Sequence, residues 1–313
     1  MHGGRASAAR PSLGSPPGDE RTTQPDATLA LTDDSTGTIT LGGNLPVRRL
    51  GFGAMRITGE GIWGEPADRD AAIAVLRRAV ELGINLIDTA DSYGPDVSES
   101  LIAEALHPYP DGLVIATKAG LVRGGPGQWS ADGRPEHLRE ACEGSLRRLR
   151  RDQIDLYQLH RPDPKVPYEE SLGTMVELQR EGKVRHIGVS NVKVAQLEQA
   201  LGLAEIVSVQ NRFNLTDRGS EDVLDACTER GIAFIPWFPL ATGSLASPGT
   251  ALDEIASSHG AAPGQIALAW LLRRSEAMLP IPGTSSVAHL DENVAAAGIE
   301  LSDEDREALD RAG

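Results

Sequence analysis

Short apolar runs alternate with longer amphipathic stretches along most of this chain. The stretches repeat apolar residues at helical spacing, as in Arg69–Leu82, Pro135–Arg148 and Tyr168–Glu181. The apolar runs predict eight strands, at Leu50–Gly53, Ile84–Asp88, Leu113–Thr117, Ile154–His160, Val184–Val189, Ile206–Gln210, Ile232–Pro236 and Met278–Ile281. Strands this apolar, each followed by a helix, are typical of a parallel sheet covered by helices. Eight such units favour an α/β fold of the (β/α)8 TIM barrel type.

The region before the first predicted barrel strand divides into two parts. Thr38–Leu41 and Leu45–Leu50 flank Gly42-Gly43-Asn44, which predicts a β-hairpin with a tight turn. Residues 1–35 are rich in Gly, Pro, Ser and Ala, and they lack the apolar core of a secretory signal. We expect them to be a disordered tail, either native or added by an upstream start. Residues 36–313 are expected to form one domain, since no linker interrupts them.

Charge and composition narrow the functional classes. The net charge is −15, and an acidic surface repels nucleic acid and anionic lipid, so we expect neither partner. No apolar run approaches the roughly 20 residues of a membrane helix, and we expect a soluble, cytoplasmic protein. The two cysteines, Cys142 and Cys227, lie in helical patterns and predict reduced thiols, not a disulfide or a metal site.

A Rossmann sheet is the structural alternative, and it requires G-x-G-x-x-G after the first strand. The first predicted strand continues as Gly51-Phe52-Gly53-Ala54-Met55-Arg56, which lacks the third glycine. No other segment supplies that motif or a G-x-x-x-x-G-K-[ST] phosphate loop. The barrel is therefore favoured.

Polar residues that follow barrel strands are candidates for catalysis, because active sites of such barrels lie at the C-terminal ends of the strands. Asp88 ends the second predicted strand, and Tyr93 lies in the loop after it. Lys118 follows the third strand, and His160 ends the fourth. The four side chains are expected to converge.

These residue types suit the reduction of a carbonyl group. A hydride that reaches a carbonyl carbon leaves an alkoxide, which takes a proton from a positioned acid. Tyr93 is the proposed acid, and a nearby Lys118 ammonium is expected to lower its pKa. Asp88 would keep Lys118 charged, and His160 would orient the carbonyl oxygen. Each residue alone has a structural alternative, such as a loop cap or a buried histidine, but four at one barrel mouth favour catalysis.

Several stretches of the chain resemble signatures of the aldo-keto reductase family, in order from about Thr38 to the C-terminus. They are Ile87–Gly94, Ala116–Lys118, Leu156–His160, Gly188–Asn191, Trp237–Leu240 and Ile281–Thr284. The resemblance implies a (β/α)8 barrel, a nicotinamide cofactor and a catalytic tetrad. All four tetrad positions are filled, by Asp88, Tyr93, Lys118 and His160.

The resemblance also implies a set of cofactor-binding residues. Ser190, Asn191 and Gln210 match positions that bind the nicotinamide carboxamide, and Trp237 matches the aromatic position that stacks on its ring. The remaining positions are Gly53, Ala54, Met55, Asp88, Phe238, Pro239, Leu240, Gly243, Ser244, Ile281, Gly283, Thr284, Ser285, His289, Glu292 and Asn293.

NADPH (NADP+) is the expected cofactor, with NADH as the weaker alternative. The family often places a Lys and an Arg around the 2′-phosphate, but Gly283 and His289 stand at those positions here. Hydroxyl groups and backbone amides at the start of a helix can still bind an anion. We expect a preference for NADPH that is smaller than an arginine would give.

The partner is expected to be a small-molecule carbonyl compound. The segments Ala204–Gln210 and Ile281–Leu290 resemble those of bacterial pyridoxal reductases within the family, which suggests an aromatic aldehyde such as pyridoxal. Ile57–Trp63, Ala119–Gly133 and Phe213–Ser220 are the predicted substrate loops, with Trp63 and Trp129 as apolar walls beside Tyr93 and His160. Two alternatives stay open, namely a nucleotide-binding regulatory subunit with little turnover and a phosphate-binding barrel isomerase.

Overall fold

The computed structural model describes residues 1–3, 30–240 and 249–312. Its strands are β1 (Thr38–Leu41), β2 (Leu45–Arg48), β3 (Phe52–Gly53), β4 (Leu86–Asp88), β5 (Val114–Ala119), β6 (Leu121–Gly125), β7 (Gln128–Ala131), β8 (Ile154–Leu159), β9 (Val184–Ser190), β10 (Ile206–Arg212) and β11 (Ala233–Trp237).

Between β3 and β11, a helix separates each strand of the main sheet from the next one along the chain. The helices are α1 (Asp33–Thr36), α2 (Arg69–Glu81), α3 (Val97–Leu106), α4 (Pro135–Leu149), α5 (Tyr168–Arg180), α6 (Val194–Leu201), α7 (Glu221–Arg230), α8 (Ala251–Ser258), α9 (Pro263–Arg274), α10 (Val287–Ala295) and α11 (Asp303–Ala312). Short 3-10 helices occur at Ala54–Ile57, Glu60–Ile62 and Ala296–Gly298.

Seven strands form one parallel sheet in the order β3-β4-β5-β8-β9-β10-β11. Residues 277–282 lie between its two edges and close it into a barrel. On one side, the Phe234 N–H donates to the Ala277 carbonyl, and the Phe234 carbonyl accepts from the Leu279 N–H, both at 2.8 Å. On the other, Gly51 N–H donates to the Pro280 carbonyl at 2.9 Å. The predicted (β/α)8 architecture is confirmed.

The eighth predicted strand, Met278–Ile281, is the exception to the regular pattern. It is not a continuous strand, and only Met278 forms an isolated parallel bridge, to Phe234. Pro280 and Pro282 have no N–H to donate, so this segment cannot form a regular ladder. It closes the barrel mainly through carbonyl groups that accept hydrogen bonds.

Helix α2 shows how the amphipathic pattern places helices on the sheet. Asp68 caps its first turn by accepting a hydrogen bond from Ala71 N–H at 2.9 Å. Its buried residues, Ala72, Val75, Leu76 and Ala79, recur at three- and four-residue spacing and so lie on one face. The outward-facing strand residues Ile87 and Ile115 pack in the same apolar layer.

The β1–β2 hairpin has the predicted form and covers the N-terminal end of the barrel. Leu41, Leu45 and Val47 are buried in one cluster with inward-facing strand residues such as Leu86 and Leu156. The turn packs on the inward-facing ring of His186, which hydrogen-bonds Asn44 Oδ1 at 2.8 Å. Gly42 has φ +53°, and a Cβ there would lie 2.1 Å from His186 Cε1, so the turn requires glycine.

The predicted tail, residues 1–35, requires a correction at its C-terminal end. Leu31 is buried against the α2 layer, and its N–H donates to the Leu82 carbonyl at 2.8 Å. Asp33–Thr36 is helical. The structured chain therefore begins before residue 36, because one apolar side chain anchors it. Residues 4–29 lie outside the described part of the chain.

Two further observations bear on the expectations from composition. Cys142 and Cys227 are free and buried, and burial raises the pKa of each thiol to about 12. Within the described ranges, no helix is both long and apolar enough to cross a membrane. Nor do His, Cys, Asp and Glu side chains gather there in groups that could hold a metal ion.

Candidate active site

A cleft of about 750 Å³ opens at the C-terminal ends of the barrel strands. Three of the four predicted catalytic residues, Asp88, Tyr93 and His160, line the cleft. The fourth, Lys118, lies directly beneath them, next to the Tyr93 hydroxyl. The other residues that line the cleft are Gly53, Met55, Arg56, Ile62, Leu121, Trp129, Ser130, Ala131, Arg161, Pro164, Ser190, Asn191, Gln210, Trp237, Phe238, Pro239, Leu240, Ile281, Pro282 and Gly283.

A fully buried ion pair forms the floor of this cleft. Lys118 Nζ lies 2.6 Å from Asp88 Oδ1, and the two side chains are 0% and 2% exposed. Lys118 also donates to the Thr89 carbonyl at 2.8 Å. The other carboxylate oxygen, Asp88 Oδ2, accepts from Gln158 Nε2 at 3.0 Å and from Gln210 Nε2 at 2.8 Å. Both charges are thus paired and hydrogen-bonded, as burial requires.

Strand alternation places these groups on the same side of the sheet. Asp88, Lys118, Gln158 and Gln210 all point into the barrel, while Ile87 and Tyr157, which neighbour two of them in the chain, are packed on the outer face. Burial opposes the charge on Lys118, but Asp88 and Tyr93 outweigh it and raise the pKa of the lysine. Lys118 is therefore charged at neutral pH.

The Tyr93 hydroxyl lies 3.5 Å from Lys118 Nζ, yet the direction of its pKa shift differs from the expectation. Burial raises the pKa of Tyr93 above its usual value, and the Lys118 ammonium only partly offsets this effect. The lowered pKa predicted from the sequence took account of the nearby Lys118 charge but not of the removal of the phenol from water. Tyr93 is therefore a protonated phenol. If it loses its proton, the Lys118 ammonium lies next to the resulting phenolate.

His160 lies beside Tyr93, with the two ring centroids 5.9 Å apart and nearly perpendicular. Burial lowers the pKa of His160 well below its usual value, and the Lys118 charge acts in the same direction. The ring is therefore neutral, with one N–H donor and one acceptor. Its Nδ1 lies 3.5 Å from Ser92 Oγ.

Of the two tryptophans predicted to form walls of the substrate site, only Trp129 lines the cleft. Trp129, on β7, lines the cleft and packs edge-on against Tyr93 and His160, at centroid distances of 6.4 and 6.5 Å. Trp63 does not line the cleft, because its ring lies outside it and faces Arg123. The loop Phe213–Ser220 contributes no cleft residue either, because Phe213 and Leu215 are buried in the outer core.

The predicted nicotinamide residues meet at the ends of β9, β10 and β11. Ser190 Oγ donates to the Gln210 carbonyl at 2.7 Å, and Asn191 Nδ2 donates to the His160 carbonyl at 3.0 Å. Trp237 Nε1 donates to Asn191 Oδ1 at 3.2 Å. Within the described part of the chain, Gln210 Oε1 and one lone pair of Asn191 Oδ1 remain as acceptors. A carboxamide NH2 has two donors, so this pair fits it.

The backbone of two glycines, Gly53 and Gly283, forms another wall of the cleft. A Cβ on Gly53 would lie 2.6 Å from the Ile281 carbonyl oxygen, and one on Gly283 would lie 2.4 Å from the Gly53 carbonyl oxygen. Both positions thus require glycine, and Met55, Phe238, Pro239 and Leu240 complete this wall as the sequence suggested. Ala54 is buried behind it. Gly243 and Ser244 lie outside the described residues.

The predicted 2′-phosphate residues lie at the start of α10, beyond the cleft. Ser286 caps this helix by accepting from His289 N–H at 3.4 Å, and Thr284 Oγ1 accepts from Ser286 N–H at 3.0 Å. Ser285, His289 and Glu292 are exposed, while Thr284 and Asn293 are buried. None of these side chains lines the cleft itself.

Several polar residues of the site were not singled out from the sequence. Arg56, Ser130 and Arg161 line the cleft, and Gln158 and Arg123 lie around it. Gln158 lies two positions before His160 on β8, so strand alternation alone could have placed it inside the barrel. Arg123 lies in a glycine-rich segment with no periodic pattern, and nothing in the sequence indicates its contacts. In the structure it donates to carbonyl groups of three loops around the cleft.

Comparison with known proteins agrees with this geometry. Residues 49–313 match the model of the aldo/keto reductase family. The chain belongs to the aldo/keto reductase family. As a member it is an NAD(P)H-dependent oxidoreductase, which confirms the resemblance seen in the sequence.

Three relatives show how far the similarity extends. An uncharacterized oxidoreductase of Schizosaccharomyces pombe is 54% identical, with 92% of this chain and 93% of the relative covered. Pyridoxine 4-dehydrogenase of Escherichia coli is 46% identical, with 88% and 98% covered. A crystal structure of an aldo-keto reductase from Klebsiella pneumoniae in complex with NADPH matches at a TM-score of 0.74, with 30% identity and 88% and 94% covered.

The buried ion pair leads to a stability prediction. Asp88→Asn should lower the free energy of unfolding by about 3–5 kcal/mol, because it leaves the Lys118 charge buried without a partner. The double variant Asp88→Asn with Lys118→Met should recover part of that loss, since it removes the unpaired charge. Urea denaturation of the two variants and the wild type measures both effects. A double variant less stable than the single one would contradict this account.

Proposed function

We propose that the protein reduces an aldehyde or ketone to the alcohol with NADPH, and that Tyr93 donates the proton. The observation that carries the proposal is the Tyr93 hydroxyl held 3.5 Å from a buried, charged lysine at the floor of an open cleft. NADPH bound in the cleft would supply the hydride. The residues of this chain hold the reactants and move the proton.

Tyr93 suits this role because of its two opposing surroundings. Burial keeps the phenol protonated before the reaction, so that it has a proton to give. When the carbonyl oxygen gains negative charge, the proton passes to it and the phenolate is left next to Lys118 Nζ. Asp88 holds that ammonium in place at 2.6 Å. The cation thus stabilises the charge only after it develops, which is how catalysis differs from simple binding.

His160 is proposed to orient the carbonyl oxygen. Its ring is neutral and buried, and it lies edge-on to Tyr93. A neutral imidazole can donate one N–H to the carbonyl oxygen while its other nitrogen accepts from Ser92 Oγ. The oxygen would then lie between two donors, the imidazole and the phenol.

The cofactor is proposed to lie along the β9–β11 side of the cleft. Gln210 and Asn191 offer acceptors for the carboxamide, and Trp237 offers a ring face for the nicotinamide. The glycine backbone at Gly53 and Gly283 leaves room for the dinucleotide. The Klebsiella pneumoniae relative with NADPH bound supports the choice of cofactor.

Pyridoxal is the proposed substrate. The support is 46% identity to a pyridoxine 4-dehydrogenase over most of both chains, together with the aromatic edge of Trp129 next to Tyr93 and His160. Three aromatic rings that meet edge-on leave an apolar space suited to a flat ring. Family membership favours a reductase over a phosphate-binding isomerase.

Replacing the proposed acid tests the mechanism. Tyr93→Phe should lower kcat by about 10²–10⁴-fold, because it removes a general acid without removing a group that holds the cofactor. Oxidation of NADPH at 340 nm measures turnover, and quenching of tryptophan fluorescence measures NADPH binding. Tyr109→Phe is the matched control, since its hydroxyl donates to the Leu149 carbonyl away from the cleft. Near-normal turnover of the Tyr93 variant would refute its assignment.

The substrate assignment predicts an order of specificity. With NADPH, kcat/KM should be highest for pyridoxal, lower for benzaldehyde and lowest for aldose sugars, because an apolar cleft does not hydrogen-bond sugar hydroxyls. The three values are measured under one set of conditions. A preference for aldoses would contradict the pyridoxal assignment while leaving carbonyl reduction intact.

The cofactor preference is predicted to depend partly on His289. His289→Ala should weaken NADPH binding about fivefold and leave NADH binding unchanged, since one exposed charge near a phosphate contributes about 1 kcal/mol. Dissociation constants of the wild type and the variant for both cofactors provide the test.

A matched variant separates this effect from a general loss of charge. His259→Ala removes an exposed histidine that pairs with Asp305 on the outer helices, and it should change neither cofactor's affinity. If His289→Ala weakens NADH and NADPH binding equally, the residue does not contact the 2′-phosphate.

A further inference from the structure

Arg123, on β6, connects the segments that surround the substrate end of the cleft. All its donor nitrogens point to backbone carbonyls: Nε to Gln128 at 3.0 Å, Nη1 to Ile62 at 2.5 Å and Ser92 at 3.1 Å, and Nη2 to Gly61 at 2.8 Å and Gly125 at 3.3 Å. These carbonyls belong to three separate segments, namely the 3-10 turn at 60–62, the loop that carries Tyr93, and the β6–β7 hairpin itself.

The same guanidinium also holds the aromatic wall. Its central carbon lies 3.7 Å from the centroid of the Trp129 ring and 5.7 Å from that of Trp63. Trp129 in turn packs edge-on against the rings of Tyr93 and His160. A single side chain therefore links the outer Trp63, the wall Trp129 and the catalytic loop.

No carboxylate lies within ion-pair distance of Arg123 in the described part of the chain, although the protein is strongly acidic. Its charge is balanced by carbonyl dipoles and by ring faces. A planar fork with five donors fits this arrangement, whereas a lysine offers a single point charge with no fixed plane. The side chain does not line the cleft, so it does not act on the substrate directly.

We propose that Arg123 is a positioning residue that fixes Trp129 against Tyr93 and His160 and so determines the affinity of the site for aromatic carbonyl substrates. This inference rests on the proposed carbonyl reduction. The contacts made by Arg123 exist before the reaction and need not change during it. Its loss should therefore act mainly on substrate binding, and only weakly on the chemical step.

Kinetics with two substrates test the inference. Arg123→Met should raise KM for benzaldehyde about tenfold and leave kcat within about threefold, since misplacing one aromatic contact loses about 1.4 kcal/mol. KM for propanal, which has no ring to contact Trp129, should change little. Arg123→Lys should behave like the Met variant, because it restores the charge but not the fork.

Three further variants keep the test specific. Trp129→Leu alters a half-exposed side chain, and it should reproduce the Arg123→Met effect. The double variant should be no worse than either single variant if Arg123 acts through Trp129. Arg151→Met is the matched control, since that guanidinium lies 4.4 Å from the Tyr109 ring and bonds the Leu113 carbonyl at the opposite end of the barrel. Equal KM changes for both aldehydes, additive effects, or rescue by lysine would overturn the inference.

A spectroscopic measurement stands apart from turnover. With 5-fluorotryptophan incorporated, Arg123→Met should shift the ¹⁹F resonances of Trp63 and Trp129 and leave that of the core residue Trp270 in place. Arg151→Met should shift neither of the first two. If the wild type reduced no aldehyde, the proposed function would fail while this readout still tested Arg123. An unmoved Trp129 resonance in the Arg123 variant would refute the positioning role.

Discussion

A lysine ammonium that is fully buried requires a compensating partner, and much of the barrel mouth is arranged around this requirement. Lys118 is 0% exposed, and Asp88 neutralises it from the adjacent strand. The carboxylate is then satisfied in turn by Gln158 and Gln210, from two more strands. A chain of polar contacts therefore crosses the barrel interior. It fixes the position and orientation of Asp88 and Lys118, the pair that lies beneath Tyr93.

The barrel and its loops have separate roles in this arrangement. Strands hold Asp88 and Lys118, which leaves these two side chains little freedom to move. The β6–β7 hairpin and the turn at 60–62 build the wall of the cleft, and Arg123 ties them to the loop of Tyr93. Loops vary more readily than strands, so a rigid centre with a clamped wall allows substrate preference to change without disturbing the proton donor.

The sequence predicted the barrel and the convergence of the four catalytic candidates, because strand alternation and the C-terminal ends of parallel strands determine both. It failed where the outcome depends on surroundings that no local pattern encodes. The pKa of Tyr93 is raised and not lowered, because burial outweighs the nearby charge. The loop position of Trp63 predicts a cleft residue, yet its ring lies outside the cleft and faces the Arg123 guanidinium. The eighth strand is irregular because prolines remove its donors.

That irregular segment has a consequence for how the chain becomes a barrel. The Gly51 N–H donates to the Pro280 carbonyl, so the hydrogen bonds that close the barrel join residues that lie far apart in the sequence. During synthesis on a ribosome, β3 and β11 therefore remain open edges until residues 277–282 have emerged. Open edges expose unpaired amides to other chains. All residues of the seven-stranded sheet are therefore synthesised before the segment that closes the barrel.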